Sequence, residues 1–153
     1  MADQQRVNRK LAAIFYADVV GYSRLTGTDE EGTHRAVAEY LDVLADAVSD
    51  HGGRVVHYAG DAVLADFASV VAAVRCAVYV QKGLAESNSE ISDDRKVQFR
   101  IGINVGDVIV DRDDIYGNGV NVAARLEGLA DPGGICVSGS VFEQVRGNLD
   151  VNF

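Results

Sequence analysis

Two aspartates in this 153-residue chain stand where a pair of carboxylates could form. Asp18 ends the apolar run Leu11-Ala12-Ala13-Ile14-Phe15-Tyr16-Ala17, and Asp61 follows Gly60 within the stretch Arg54 to Phe67. Val55, Val56 and Tyr58 ahead of Gly60, and Val63, Leu64 and Phe67 after it, suit a pleated, part-buried surface. Gly60 supplies backbone that can bend sharply or take positive φ. The pattern predicts a hairpin that holds Asp61 at the mouth of a sheet. If the run ending in Asp18 is a neighbouring strand, the two carboxylates sit side by side and repel unless a proton or a metal intervenes. Such a pair suits a hard cation such as Mg²⁺. Two acids that merely cap turns would leave the same pattern, and the residue types alone do not separate these readings. Asn121 and Arg125 form a second constellation, because a spacing of four projects both from one face of a helix.

The elements that must position these groups follow from periodicity. Met1 to Asn8 is polar and reads as a frayed, flexible start. Leu11 to Val19 is apolar almost throughout, as a central strand is. Thr28 with Glu31 forms a capping-box pattern, and Val37, Tyr40, Leu41, Leu44, Ala45 and Val48 repeat at helical period, so a helix is predicted over about 29–50. Gly52-Gly53 stops it ahead of the hairpin. A second helix is expected from Ser69 to Leu84, with the polar stretch Ala85 to Lys96 as a surface loop. Val97 to Gly106 alternates at period two and continues through Val108-Ile109-Val110 as a long strand. Gly102 and Gly106 mark places where a neighbour could approach closely. Asp111 to Gly119 reads as a turn-rich loop. Asn118 to Leu129 reads as a helix with Val122, Ala123, Leu126 and Leu129 on one side. Asp131-Pro132-Gly133-Gly134 ends it. Ile135-Cys136-Val137 is a short strand, a helix lies near Val141 to Arg146, and Leu149 to Phe153 begins a further strand. This order predicts an α+β fold: one mostly antiparallel central sheet with helices packed against it.

Composition narrows the function classes. The chain is 48% apolar with 16 glycines and one proline, which favours an ordered domain with tight turns. A formal charge of −9 disfavours broad attraction to nucleic acid or anionic lipid. An anionic nucleotide could still bind through a local metal, a helix N-terminus and one arginine. Cys76 and Cys136 form no CxxC pair and read as buried free thiols, which suits a reducing, cytoplasmic setting. No window reaches the ~20 apolar residues of a membrane span. Neither Gly-x-Gly-x-x-Gly nor Gly-Lys-Thr/Ser is present.

Three spaced segments, Phe15-Tyr16-Ala17-Asp18-Val19-Val20-Gly21-Tyr22-Ser23, Gly60-Asp61-Ala62 and Asp114-Ile115-Tyr116-Gly117-Asn118-Gly119-Val120-Asn121-Val122-Ala123-Ala124-Arg125, occur in this order. Together they resemble the catalytic domain of class III nucleotidyl cyclases of bacterial type, over roughly residues 9–153. The resemblance implies an α/β sandwich of ferredoxin-like kind. It implies that Asp18 and Asp61, with the Val19 carbonyl, bind two Mg²⁺ or Mn²⁺ ions. One ion would activate the ribose 3′-hydroxyl and the other hold the β- and γ-phosphates, with pyrophosphate leaving. Val20, Gly21, Tyr22 and Ser23 would cradle phosphate oxygens through backbone N–H groups. Tyr22-Ser23 replaces the usual Phe-Thr. Asn121 would orient the ribose, and Arg125 would stabilise charge at the α-phosphate. Taken alone, Arg125 would also fit an ordinary pairing with Glu127.

For the base, the resemblance points to Asp114 as acceptor from the adenine amine and to His57 as the ring donor, in a position usually held by lysine. Imidazole can donate from either nitrogen but is shorter than lysine. The expectation is an adenylate cyclase making cyclic AMP and pyrophosphate, with weak ATP affinity and low turnover. Two alternatives stay open: another base preference such as CTP, and a catalytically silent dimerisation or nucleotide-sensing module. In the family the metal acids of one subunit face the asparagine, arginine and base contacts of another, so one chain carrying all of them implies a head-to-tail homodimer. Asp107 stands where some members carry a phosphate-binding arginine. The C-terminal triphosphate-gripping lysine of the family lies beyond Phe153, which implies a longer native protein with an attached C-terminal region.

Overall fold

The computed structural model describes residues 8–20, 30–91 and 96–149. The elements run in the order β1 (Asn8–Val20), α1 (Glu30–Asp50), β2 (Gly53–Ala59), β3 (Ala62–Phe67), α2 (Val70–Asn88), β4 (Gln98–Asp111), β5 (Asp114–Tyr116), α3 (Asn118–Leu129), β6 (Ile135–Val137) and α4 (Gly139–Val145). The sheet order is β2-β3-β1-β4-β5, with β6 also pairing to β4. Every pairing is antiparallel except β4 with β6. The α+β expectation holds.

β1 is apolar on both sides because both sides are covered. Ala13, Phe15, Ala17 and Val19 face one core with Leu44, Ala47 and Val48 of α1, Val74 and Ala77 of α2, and Val141 and Val145 of α4. Phe15 and Phe67 meet there with ring centroids 5.7 Å apart. Ala12 and Ile14 face the other way, into a smaller core with Leu64, Val108, Ile115 and Ala123. Helix α3 supplies Ala123 to this second face, so three helices contribute to one core and one helix to the other. Gly102 explains how closely α3 lies: a Cβ there would overlap the Glu127 backbone nitrogen and the Ala123 carbonyl oxygen. Only glycine permits that approach.

Several expectations are corrected. Helix α2 continues through Asn88, past the predicted end at Leu84. Asn88 donates from Nδ2 to the Val97 carbonyl at 2.8 Å, and this buried tie to the start of β4 carries the polar sequence into a helical last turn. The supposed loop Asp111 to Gly119 contains β5, which pairs Asp114 and Ile115 with Asp111 and Val110. Leu129 is not part of the buried side of α3, being 74% exposed, whereas Glu127 is buried. Gly106 has open space where a Cβ would lie. Cys76 is buried, and burial pushes its thiol up to about 12, whereas Cys136 is half-buried. The Thr28 cap and the strand beyond Leu149 lie outside the described residues.

Candidate active site

Register brings the two predicted acids together. Asp18 pairs with Ala62 across the β1–β3 ladder, which sets it beside Asp61 in the preceding turn. Gly60 turns the chain there at φ +63°, a value that L side chains rarely adopt. The Asp61 carboxyl is held above the ordinary carboxylate range, first by burial and next by the charge of Asp18. A hydrogen bond with the Asp18 side chain raises it further, against the lowering effect of its own backbone N–H. The turn-capping alternative does not require such contact between the two groups. Val19 is buried in β1 beside Asp18, and Val20 is the last residue of that strand. Gly21, Tyr22 and Ser23 lie outside the described residues.

A third acid joins the pair from below. Glu127, 7% exposed on α3, adjoins the Asp18 carboxyl, with which it can hydrogen-bond only while one of the two is protonated. Burial, then this hydrogen bond and the charge of Asp18, push it up to about 7, and Arg100 works in the opposite direction. Arg100 stands opposite Asp18 in the β1–β4 register, and its Nε is buried without a hydrogen-bond partner. Tyr16 is raised by burial and then by the charges of Asp18, Glu127 and Asp61, so all four groups share one field. Periodicity missed Glu127 by assigning the buried side of α3 to Leu126 and Leu129. The signal that could have found it is Gly102, a glycine inside a strand pattern.

The donor set fits a divalent cation: two hard oxygen donors converge, and the charge of Asp18 disfavours the anion of Asp61. Among the described residues no group of three or more His, Cys, Asp or Glu side chains has a metal-holding arrangement. Asp18 and Asp61 would therefore act as a pair, completed by backbone, solvent or substrate oxygens.

The base-contacting candidates form a second cluster, although 57 residues separate them. His57 Nδ1 lies 2.9 Å from Asp114 Oδ1. A bulge between Val55 and His57 shifts the register of β2 and sets which way the imidazole points. The Asp114 carboxylate also accepts from Ile115 N–H at 2.8 Å and from the Tyr116 hydroxyl. Its burial works to raise its pKa, but these hydrogen bonds, led by that of His57, leave it lowered. Both side chains keep some exposure, 41% and 29%, so a ligand edge can reach them.

Asn121 and Arg125 are exposed on α3, and neither side chain has an ion-pair or hydrogen-bond partner among the described residues. Arg125 does not pair with Glu127, which lies on the opposite side of the helix. Within one chain the structure thus unites Asp18 with Asp61, and His57 with Asp114, and leaves Asn121 and Arg125 facing outward. Asp107 is exposed on β4 opposite Leu11, seven residues along the strand from the Arg100–Asp18 pair.

A sheet with this order, an acid pair at a hairpin mouth and an outward Asn/Arg helix define a nucleotidyl cyclase domain of class III. Residues 5–153 match the family described as adenylate and guanylate cyclase catalytic domain, and the chain belongs to that family. The putative adenylate cyclase 3 of Rhizobium meliloti (strain 1021) is 46% identical over 151 residues, which is 98% of this chain and 26% of that protein. An adenylate cyclase of Streptomyces coelicolor is 31% identical over 144 residues, 94% of this chain and 36% of its own length. The chain thus spans about a quarter to a third of these curated relatives. Among solved structures, an adenylate/guanylate cyclase/hydrolase from Silicibacter pomeroyi superposes with a TM-score of 0.91 at 38% identity, over 97% of this chain and 87% of that one. No helix of the described residues is long and apolar enough to cross a membrane.

Proposed function

We propose that this domain is an adenylate cyclase that converts ATP to 3′,5′-cyclic AMP and pyrophosphate at the interface of a head-to-tail homodimer. The observation that carries this reading is the juxtaposition of Asp18 and Asp61 across the β1–β3 register, where burial and the charge of Asp18 raise Asp61, an arrangement suited to a divalent cation. Two Mg²⁺ or Mn²⁺ ions held there, with the Val19 carbonyl, would polarise the α-phosphate and lower the pKa of the ribose 3′-hydroxyl. Asp18 and Asp61 orient the triphosphate relative to the ribose. The backbone of Val20, Gly21, Tyr22 and Ser23 supplies N–H donors to its oxygens. From the partner chain, Asn121 orients the ribose and Arg125 meets the charge that grows on the α-phosphate.

His57 and Asp114 supply a donor and an acceptor for the base edge. A carboxylate suits the exocyclic amine of adenine and opposes the carbonyl oxygen of guanine, acceptor against acceptor. Their hydrogen bond favours a second reading, because a short imidazole fixed to Asp114 leaves the pocket less committed to a purine than a lysine would. Cytosine offers the same donor–acceptor pattern, so CTP is the competing substrate. A silent nucleotide-binding module is the competing class. Free thiols at Cys76 and Cys136 suit a reducing, cytoplasmic compartment, and an attached C-terminal region accords with the greater length of the relatives.

Incubation of the purified dimer with each of the four nucleoside triphosphates and Mn²⁺, followed by product chromatography, tests this. Cyclic AMP with pyrophosphate is expected, with loss of product in Asp61→Ala. Cyclic CMP as the main product selects the cytidine reading. Nucleotide binding without pyrophosphate release selects the silent module.

A further inference from the structure

Two strands at opposite ends of the sheet meet at one hydrogen bond. β2 and β5 stand at either end of the order β2-β3-β1-β4-β5, yet His57 Nδ1 of β2 lies 2.9 Å from Asp114 Oδ1 of β5. The sheet therefore curls until these strands touch, around the second core that holds Leu64 and Ile115. His57 pairs with Leu64 just after the β2 bulge, and Asp114 directly precedes Ile115, so both polar groups stand at the rim of that core. Asp114 is also fixed by its backbone. It opens β5 opposite Asp111, and the chain reaches it through a tight turn in which Arg112 takes φ +59°.

The chemistry of the pair decides where the hydrogen lies. A carboxylate only accepts, so Nδ1 is the ring nitrogen that carries hydrogen and donates. Ile115 N–H donates to the same oxygen at 2.8 Å. Oδ1 is thus taken twice from within the chain, and Oδ2 is the oxygen left for a ligand. The neighbouring Tyr116 is half exposed and can swing aside. His57 has meanwhile spent a donor on Asp114. In a neutral ring Nε2 is then an acceptor, which opposes a ring nitrogen of the base instead of binding it.

We propose that His57 is a positioning residue: it fixes Asp114 through Nδ1, and the exocyclic amine of the base is read by Asp114 alone. The pocket then selects amino bases without any contact from His57 to the ring. This rests on the reading of His57 and Asp114 as the base pocket of the domain. A carboxylate held from two sides keeps its aim, whereas an untethered one can turn away from a mismatched base.

Two nucleotide analogues separate amine reading from ring reading. Purine riboside triphosphate lacks the exocyclic amine, and 1-deaza-ATP lacks the ring acceptor beside it. Each is used with ATP as its 3′-deoxy form, which cannot cyclise, in competition with a fluorescent nucleotide in Mn²⁺. Loss of the amine should weaken binding to the wild type about tenfold, and loss of the ring nitrogen less than about threefold. The variants then move the donor along the side chain. The amide nitrogen of asparagine stands where histidine has Nδ1, and that of glutamine where it has Nε2. His57→Asn should keep the tenfold amine preference, whereas His57→Gln and His57→Ala should reduce it to about twofold or less.

Equal losses with the two analogues overturn the proposal, and so does retention by glutamine but not by asparagine, because the ring is then read through Nε2. An amine preference that survives His57→Ala also overturns it, since Asp114 then needs no holder. If the alanine variant does not fold, the contrast of asparagine with glutamine decides. A tie that only closes the sheet would shift melting and leave the amine preference of every variant alike. An amine preference that persists in Asp114→Ala, or a wild type that binds none of the three nucleotides, instead removes the base-pocket reading beneath the proposal.

Discussion

Asp66 and Asp18 lie four register positions apart on the β1–β3 seam, since Ile14 pairs with Asp66 and Asp18 with Ala62. Both present carboxyls on the α3 side of the sheet, yet their surroundings differ. Asp66 is 4% exposed and receives two cations, Lys10 at 2.8 Å and Arg54 at 3.4 Å. Asp18 is surrounded by two further acids, Asp61 and Glu127, with Arg100 as the cation opposite it. A chain that compensates one buried acid so fully has no general difficulty in doing so. The acid cluster, three carboxyls with one cation facing them, is a local arrangement that raises Asp61 and Glu127, as perturbed groups at functional sites are. The contrast separates an acid paired with two cations from acids that raise one another's pKa, the second kind being those to which the proposed function gives the metal.

The comparison breaks most sharply if the outward arginine proves dispensable. Arg125→Ala should reduce kcat about 10²-fold, roughly 3 kcal/mol in the barrier, with the dimer still intact. Steady-state kinetics and mass measurement together check this. A change below threefold would deny Arg125 contact with developing charge.

A smaller effect concerns the base pocket. His57→Lys should raise kcat/KM for ATP about tenfold relative to CTP, because a longer, always-charged donor reaches further than imidazole. Competition between the two triphosphates reads this directly. An unchanged ratio would leave His57 as a bystander held by Asp114.

The smallest effect is on stability and has a definite sign. Glu127 is pushed up to about 7 in the fold, and Asp61 is also raised, so both bind protons more readily folded than unfolded. Metal-free protein should therefore lose stability as pH rises from about 4.5 to 7, the window in which the unfolded acids ionise first. Asp114 acts the other way, its lowered pKa giving stability that is lost only as pH falls into the acid range. Melting temperatures across pH 5 to 8 should fall by a few degrees without metal and recover with Mn²⁺. Asp61→Asn should flatten the slope, whereas Asp66→Asn should lower melting at every pH.

Much of this was legible in the sequence. Asp18 and Asp61 could be paired because an apolar run and a glycine turn fix where strands end, and Asn121 with Arg125 followed from helical spacing. Glu127 was not legible, because a buried carboxylate on a helix violates the apolar pattern by which buried faces are read. β5 was hidden because three residues between Asp111 and Gly117 are too few to show alternation. The His57–Asp114 hydrogen bond depends on a bulge in β2 that no periodicity reveals. The resemblance to the cyclase family placed those two residues in one pocket, and the fold supplied the contact.

The central claim is that Asp18 and Asp61 together hold divalent ions. Counting Mn²⁺ bound per protomer by electron paramagnetic resonance, with a non-cyclisable ATP analogue present, tests it without relying on turnover. About two ions per site are expected for the native protein, and none retained in the Asp18→Asn/Asp61→Asn double variant that still dimerises. Equal Mn²⁺ binding in both proteins would contradict the account.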